Sequence, residues 1–136
     1  MAVNYKAPVK DIVFGYQVIN SYDVLSKITQ FSDFSESIVI TTMEECGKFA
    51  EEVLAPINAI GDEKGATISD SVVTMPEGFV GAYKKFAEAG WASISLPAEI
   101  GGGGMPVILS GGTLEILSSA NLAFGLAPGL SAGAIS

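Results

Sequence analysis

Three features of the chain are the first places to look for chemistry: the glycine run Gly101 to Gly104, the isolated acid Glu115, and the single cysteine Cys46. A glycine run can turn successive N–H groups toward a phosphate. A phosphate-binding loop of the P-loop kind closes on Gly-Lys-Ser/Thr, however, and here Met105-Pro106 follows. A dinucleotide fingerprint needs a preceding strand and an acid about twenty residues on. Ile94-Ser95-Leu96 is too short for that strand, and Glu115 sits inside an apolar helical stretch. The run therefore reads as a turn between two helices, with Pro106 starting the second. An acid in apolar surroundings can serve as a general base. With no histidine and no second acid close by in sequence, Glu115 reads instead as a structural acid facing a helix end, a lysine or another part of the protein. Cys46 falls in the apolar stripe of a helix. It reads as a small core residue, because a nucleophile wants a basic neighbour or a helix N-terminus. No catalytic residue, cofactor ligand or metal ligand is assigned in the chain.

Composition narrows the function classes further. Fifteen acids against seven lysines give a net charge of −8, which would repel a nucleic-acid backbone. There is no arginine, so the bidentate fork that suits phosphate and carboxylate is missing. The absence of histidine removes the usual base near neutral pH and the commonest metal ligand. One cysteine rules out an internal disulfide and a multi-cysteine zinc site. Met1 to Ile12 has neither the apolar core of a signal peptide nor the arginines of a mitochondrial presequence, so the location expected is cytoplasmic. Ile116 to Ile135 is uncharged over twenty residues. It carries Asn121, Pro128 and several glycines and has no basic flank, so no membrane span is expected.

The elements that would position these residues are helical. Residues 8–36 read as short pieces, the first weakened at Gly15 and broken at Asn20-Ser21, the second spanning about Asp23 to Phe31. The strongest helix runs from about Ser37 to Leu54, with Val39, Met43, Cys46, Ala50 and Val53 as its apolar stripe and Phe49 and Leu54 widening it. Pro56 is expected to interrupt or end it. Residues 61–76 read as a connector in which Val72-Val73-Thr74 is briefly extended. Pro76 opens a helix with Phe79, Tyr83 and Phe86 inward, ending near Ala89 with Gly90 as its left-handed cap and Trp91 folding back over that end. Apolar helix is expected from about Pro106 to Phe124 and again from Pro128 to Ile135. No run alternates convincingly as a strand, so the fold class is all-α.

In order, these segments resemble the N-terminal helical region of the acyl-CoA dehydrogenase family. The resemblance rests on Phe49-Ala50-Glu51-Glu52-Val53-Leu54-Ala55-Pro56-Ile57-Asn58, then Gly61-Asp62-x-x-Gly65, Pro76-x-Gly78-Phe79, Ala82-Tyr83 and Phe86. It continues through Gly90-Trp91, Leu96-Pro97-x-Glu99, Gly101-Gly102-x-Gly104-x-Pro106 and Ser119-Ala120-Asn121-Leu122-Ala123-Phe124. It covers about residues 37–136 as an incomplete N-terminal α-domain, with residues 1–36 as a short helical extension. Tyr5-Lys6-Ala7-Pro8-Val9-Lys10-Asp11-Ile12 is similar to the extension of a bacterial branch that includes enzymes acting on short thioether acyl-CoAs such as 3-(methylthio)propanoyl-CoA.

The resemblance implies a fragment of an FAD-dependent enzyme that dehydrogenates acyl-CoA thioesters between the α and β carbons. It implies a central β-domain and a C-terminal helical bundle, both lacking here, that carry most of the flavin site and the catalytic glutamate. Glu115 matches an acid common in that helix of the family and is not the base. Also implied are an acyl-CoA substrate, an electron-transfer acceptor and a homo-oligomer for the complete enzyme, and inactivity of this piece alone. By position, Phe124, Leu126 and Leu130 either line one wall of the acyl pocket or pack only in the bundle's own core. The uncharged tail looks cut. The rival reading is a stand-alone helical interaction module, with that tail as its contact surface.

Overall fold

A computed structural model describes residues 4–135. The chain starts as a strap, residues 4–8, followed by helix α1 (Val9–Val18) and the single turn α2 (Ser21–Leu25). Asn20 takes a left-handed conformation, φ 51°, at the expected break. Beyond a 3₁₀ turn at Thr29–Phe31 comes α3 (Glu36–Phe49).

Helix does not stop at Pro56. A π-helical turn, Ala50–Leu54, leads straight into α4 (Ala55–Lys64). The wider turn places Pro56 in the first turn of α4, a position where proline is tolerated. It also shifts the inward position by one residue. Val39, Met43, Cys46 and Ala50 are fully buried as expected, but Leu54, not Val53, completes the stripe.

The connector holds a hairpin of β1 (Thr67–Ser69) and β2 (Val72–Thr74), with Ile68 paired to Val73. Its two-residue turn sets Asp70 and Ser71 at φ 50° and 65°. This small sheet is an addition to a fold that is otherwise helical. Helix α5 (Phe79–Glu88) begins three residues after Pro76, because Gly78 at φ 89° forms its entry. It ends as expected, with Gly90 at φ 76°. The Trp91 ring lies 6.4 Å from Phe49, which is itself 6.4 Å from Phe86 of α5.

The last apolar stretch divides at Asn121, not between Phe124 and Pro128. Helix α6 (Val107–Ala120) and helix α7 (Leu122–Ile135) are fourteen residues each, and α7 continues through Pro128. At 1.5 Å per residue each reaches only about 21 Å, short of a bilayer core. Among the described residues no helix is long and apolar enough to cross a membrane.

The core lies between α3 and α6, with α1 across both. Leu109, Ile116 and Leu117 of α6 pack with Val39, Met43 and Cys46 of α3, and Ile12, Val13 and Tyr16 of α1 close the layer. Close approach depends on glycine at two crossings. A Cβ on Gly112 would lie 2.8 Å from both Met43 Cε and Tyr16 Oη, and one on Gly47 would lie 2.9 Å from Ala7 Cβ. The strap is tied down by polar contacts. Tyr5 Oη donates to the Ile116 carbonyl at 3.0 Å, and the Ala7 N–H donates to Glu51 at 3.0 Å. Lys6 pairs with the same carboxylate and, together with the Ala7 N–H, holds it below the usual carboxylate range. Residues 9–18 thus share one core with the rest of the chain.

Candidate functional site

The joint at Asn121 sets which face of α7 points out. Asn121 is 1% exposed. Its Oδ1 accepts the Phe124 N–H at 3.0 Å, capping α7, and its Nδ2 donates to the Leu54 carbonyl at 3.3 Å. One side chain therefore caps a helix and ties that helix to the end of the π turn. Nothing in the expectation of a helix running on to Phe124 marked this residue as a joint. The available signal was its residue type, since asparagine is a favoured N-cap.

Phe124 is the apolar half of the same anchor. It is 5% exposed and meets Phe86 edge-on at 5.6 Å, with Tyr83 at 6.3 Å and Phe79 at 6.4 Å. Rings at these separations bury apolar area and gain quadrupole attraction as well. With Asn121, Phe124 and Pro128 turned inward, residues four apart on the opposite side face out. Leu126 is 64% exposed and Leu130 78%. Leu122, which the sequence reasoning did not select, is on the same stripe and also exposed. The three chosen positions therefore divide: Phe124 holds the helix, while Leu126 and Leu130 form an uncovered apolar ridge.

The glycine run is consumed by its own loop. The N–H groups of Gly101, Gly102, Gly103, Gly104 and Met105 donate to the carbonyls of Ala98, Pro97, Ser93, Leu96 and Ile94. A Cβ on Gly102 would come within 2.1 Å of the Leu96 carbonyl oxygen, and one on Gly103 within 2.6 Å of that of Ile94. Glycine is needed there for backbone-to-backbone contact. A phosphate loop leaves such donors free, and here they are taken.

Glu115 is exposed on α6. Cys46 is the opposite case. Fully buried, it donates to the Thr113 carbonyl at 3.7 Å, and burial pushes its thiol up to about 12. A thiol held neutral in this way is a packing group. Among the described residues no cluster of acids, cysteine or histidine has metal-binding geometry.

These residues do not suit a flavin. Its pyrophosphate needs free N–H donors or cations. The described grooves instead carry carboxylates: Asp11 and Glu115 in one of about 440 Å³, Asp33 and Glu99 in another of about 400 Å³. What the arrangement offers is an exposed apolar surface on α7.

Comparison with known proteins gives that surface a context. The family model described as acyl-CoA dehydrogenase, N-terminal domain, matches residues 41–136. The chain is also similar to the 3-methylmercaptopropionyl-CoA dehydrogenase of Ruegeria pomeroyi, with 38% identity over 133 residues, which is 98% of this chain. It spans 23% of that relative's length.

Proposed function

The chain belongs to the acyl-CoA dehydrogenase family through its N-terminal domain, and on that premise we propose that it supplies packing and one wall of the acyl pocket to an FAD-dependent enzyme. The enzyme would dehydrogenate acyl-CoA thioesters between the α and β carbons. The observation that carries this reading is the exposed leucine ridge of α7, Leu126 and Leu130, held outward by Asn121 and Phe124. An acyl tail requires apolar, non-reacting surface of this kind, because its transfer from water is favourable in proportion to the area covered. Phe124 belongs to the same wall from behind, fixing the ridge against the aromatic cluster.

In this reading the flavin site and the catalytic base lie in the parts of longer relatives that the matched region does not include. No step of the reaction is assigned to residues here. We read residues 1–36 as a short helical extension of that domain, and the complete enzyme as a cytoplasmic homo-oligomer working with an electron-transfer acceptor. A short thioether acyl-CoA, as in the name of the Ruegeria pomeroyi relative, is the substrate we favour.

Two measurements test this. The purified chain should be colourless and without dehydrogenase activity. FAD released from it on denaturation would refute the assignment of the flavin site elsewhere. In the flavin-loaded longer protein, Leu126→Asp and Leu130→Asp should raise KM for acyl-CoA at least about tenfold, as expected for a charge placed against an apolar tail. An unchanged KM would remove the wall. A stop codon directly after Ser136 in the gene would favour the stand-alone interaction module.

A further inference from the structure

We infer that the groove between α1 and α6 is the contact between two copies of this chain, with Phe14 and Val18 of each copy seated in the groove of the other. The groove has a volume of about 440 Å³ and is lined by Asp11, Gly15 and Ile19 on one wall and Ile108, Gly111 and Glu115 on the other. The two helices run antiparallel, since Tyr5 bonds to the Ile116 carbonyl while Tyr16, further along, bonds to that of Ile108. The groove is therefore graded along its length. Two carboxylates stand at one end, glycines in the middle and two isoleucines at the other end.

Its floor is closed and its mouth is open. Gly112 is covered by Met43 and Tyr16, whereas a Cβ on Gly15 or Gly111 would meet nothing within 4 Å among the described residues. Neither Asp11 nor Glu115 has an ion-pair partner among the described residues, and no cation lines the groove.

The complementary ridge is on α1 itself. Lys10, Phe14 and Val18 recur every four residues along one stripe of the helix, beside the wall formed by Asp11 and Gly15. Phe14 is 63% exposed and Val18 65%. Their order repeats the grading of the groove: a cation, a large knob, then a branched apolar side chain.

A twofold axis parallel to α1 sets the second copy's α1 alongside the first at the same height. Helical geometry then turns Phe14 and Val18 of the second copy toward α6. Phe14 meets Gly15 and Gly111, Val18 meets Ile19 and Ile108, and Lys10 reaches Asp11 and Glu115. Reversing the helix would put Lys10 against the isoleucines and leave its charge desolvated and unpaired. The parallel arrangement is also reciprocal and closed, as a symmetric dimer requires. Knob, hole and opposite charges all occur on one chain at matched spacing, so the occupant is a second copy.

Sedimentation equilibrium of the chain from about 5 to 200 μM should show a reversible monomer–dimer equilibrium. Phe14→Ser, which removes the knob, and Gly111→Leu, which fills the hole, should each raise the dissociation constant at least about tenfold. Lys10→Glu should do the same, and adding Asp11→Lys and Glu115→Lys should restore association. These positions are exposed, so the thermal unfolding of each variant should show that the fold is retained. Mixing Phe14→Cys chains with Gly111→Cys chains under oxidation should give a crosslinked pair that Val80→Cys chains do not give with either. A monomer throughout would overturn the proposal. So would a dimer insensitive to both Phe14→Ser and Gly111→Leu, which would move the contact to another face such as the α7 ridge.

Discussion

Replacing Asn121 by alanine should destabilise the chain by about 2–3 kcal/mol, a large fraction of the roughly 5–15 kcal/mol typical of a domain. The magnitude follows from the two bonds that one side chain makes. Loss of the α7 cap accounts for about 1 kcal/mol. Loss of Nδ2 leaves the Leu54 carbonyl without that donor in a site where Asn121 is 1% exposed. That carbonyl is also the first acceptor of α4, so losing this second, buried bond adds about 1–2 kcal/mol. Asn121→Asp divides the two effects. It keeps an acceptor for the Phe124 N–H, which lies 3.0 Å from Oδ1. But it replaces a donor to the Leu54 carbonyl by a carboxylate oxygen, so two acceptors face each other. Asn121→Asp should therefore be at least as unstable as Asn121→Ala at pH 7. It should recover part of the loss at low pH, where a protonated carboxyl can donate. Urea unfolding followed by far-UV circular dichroism measures this, with an unchanged m value showing that the unfolding itself is the same. An alanine variant within 0.5 kcal/mol of the parent, or an aspartate variant as stable as the parent at neutral pH, would refute the joint as the device that orients α7.

Gly112→Ala should cost about 1–3 kcal/mol, because its Cβ would meet Met43 and Tyr16 at 2.8 Å. Gly111→Ala, one residue earlier and open, should instead gain up to about 1 kcal/mol of helix propensity on the same unfolding curve. Glu51 is held below its usual range in the folded chain by Lys6 and the Ala7 N–H. Its contribution is thus full above the unfolded value of about 4.3 and is lost as pH falls through the folded one. Glu51→Gln should lower stability by about 1 kcal/mol at neutral pH, a figure reduced for the exposed lysine, and the difference should vanish in acid. Ser71→Gly should raise the melting temperature by a few degrees, since Ser71 occupies φ 65° in a two-residue turn that glycine enters without strain. A fall in melting temperature would contradict that account of the turn.

Much of the fold was legible because periodicity reports burial directly. Val39, Met43, Cys46 and Ala50 recur at helical spacing and are all fully buried, and Gly90 takes the left-handed cap that its residue type favours. The misplaced boundaries share a cause. Each depended on a backbone arrangement that residue type alone does not settle. Pro56 ends a helix only if the preceding turns keep α geometry, and the π turn Ala50–Leu54 removes that condition. Pro76 would start a helix, yet Gly78 at φ 89° delays the entry to Phe79. In the candidate site, the family resemblance marked out Phe124, Leu126 and Leu130 together by position. Which of them face out depends on Asn121 reaching Leu54, a contact between residues 67 apart in the chain.

The sequence by itself determined the helical class, the apolar stripe of the central helix, the family, and the demotion of the glycine run from phosphate loop to turn. The family rests on the order of several segments; the others are local matters, set by spacing along one segment or by the residue types within it. Tertiary structure alone decided which way the apolar residues of the last helix point, and it showed why the glycines are required. Leu126 and Phe124 are chemically alike and two positions apart, yet one is exposed and the other buried against three rings. The reason is physical. Helical spacing fixes the angle between two side chains, but only packing against another element fixes which of those angles faces water.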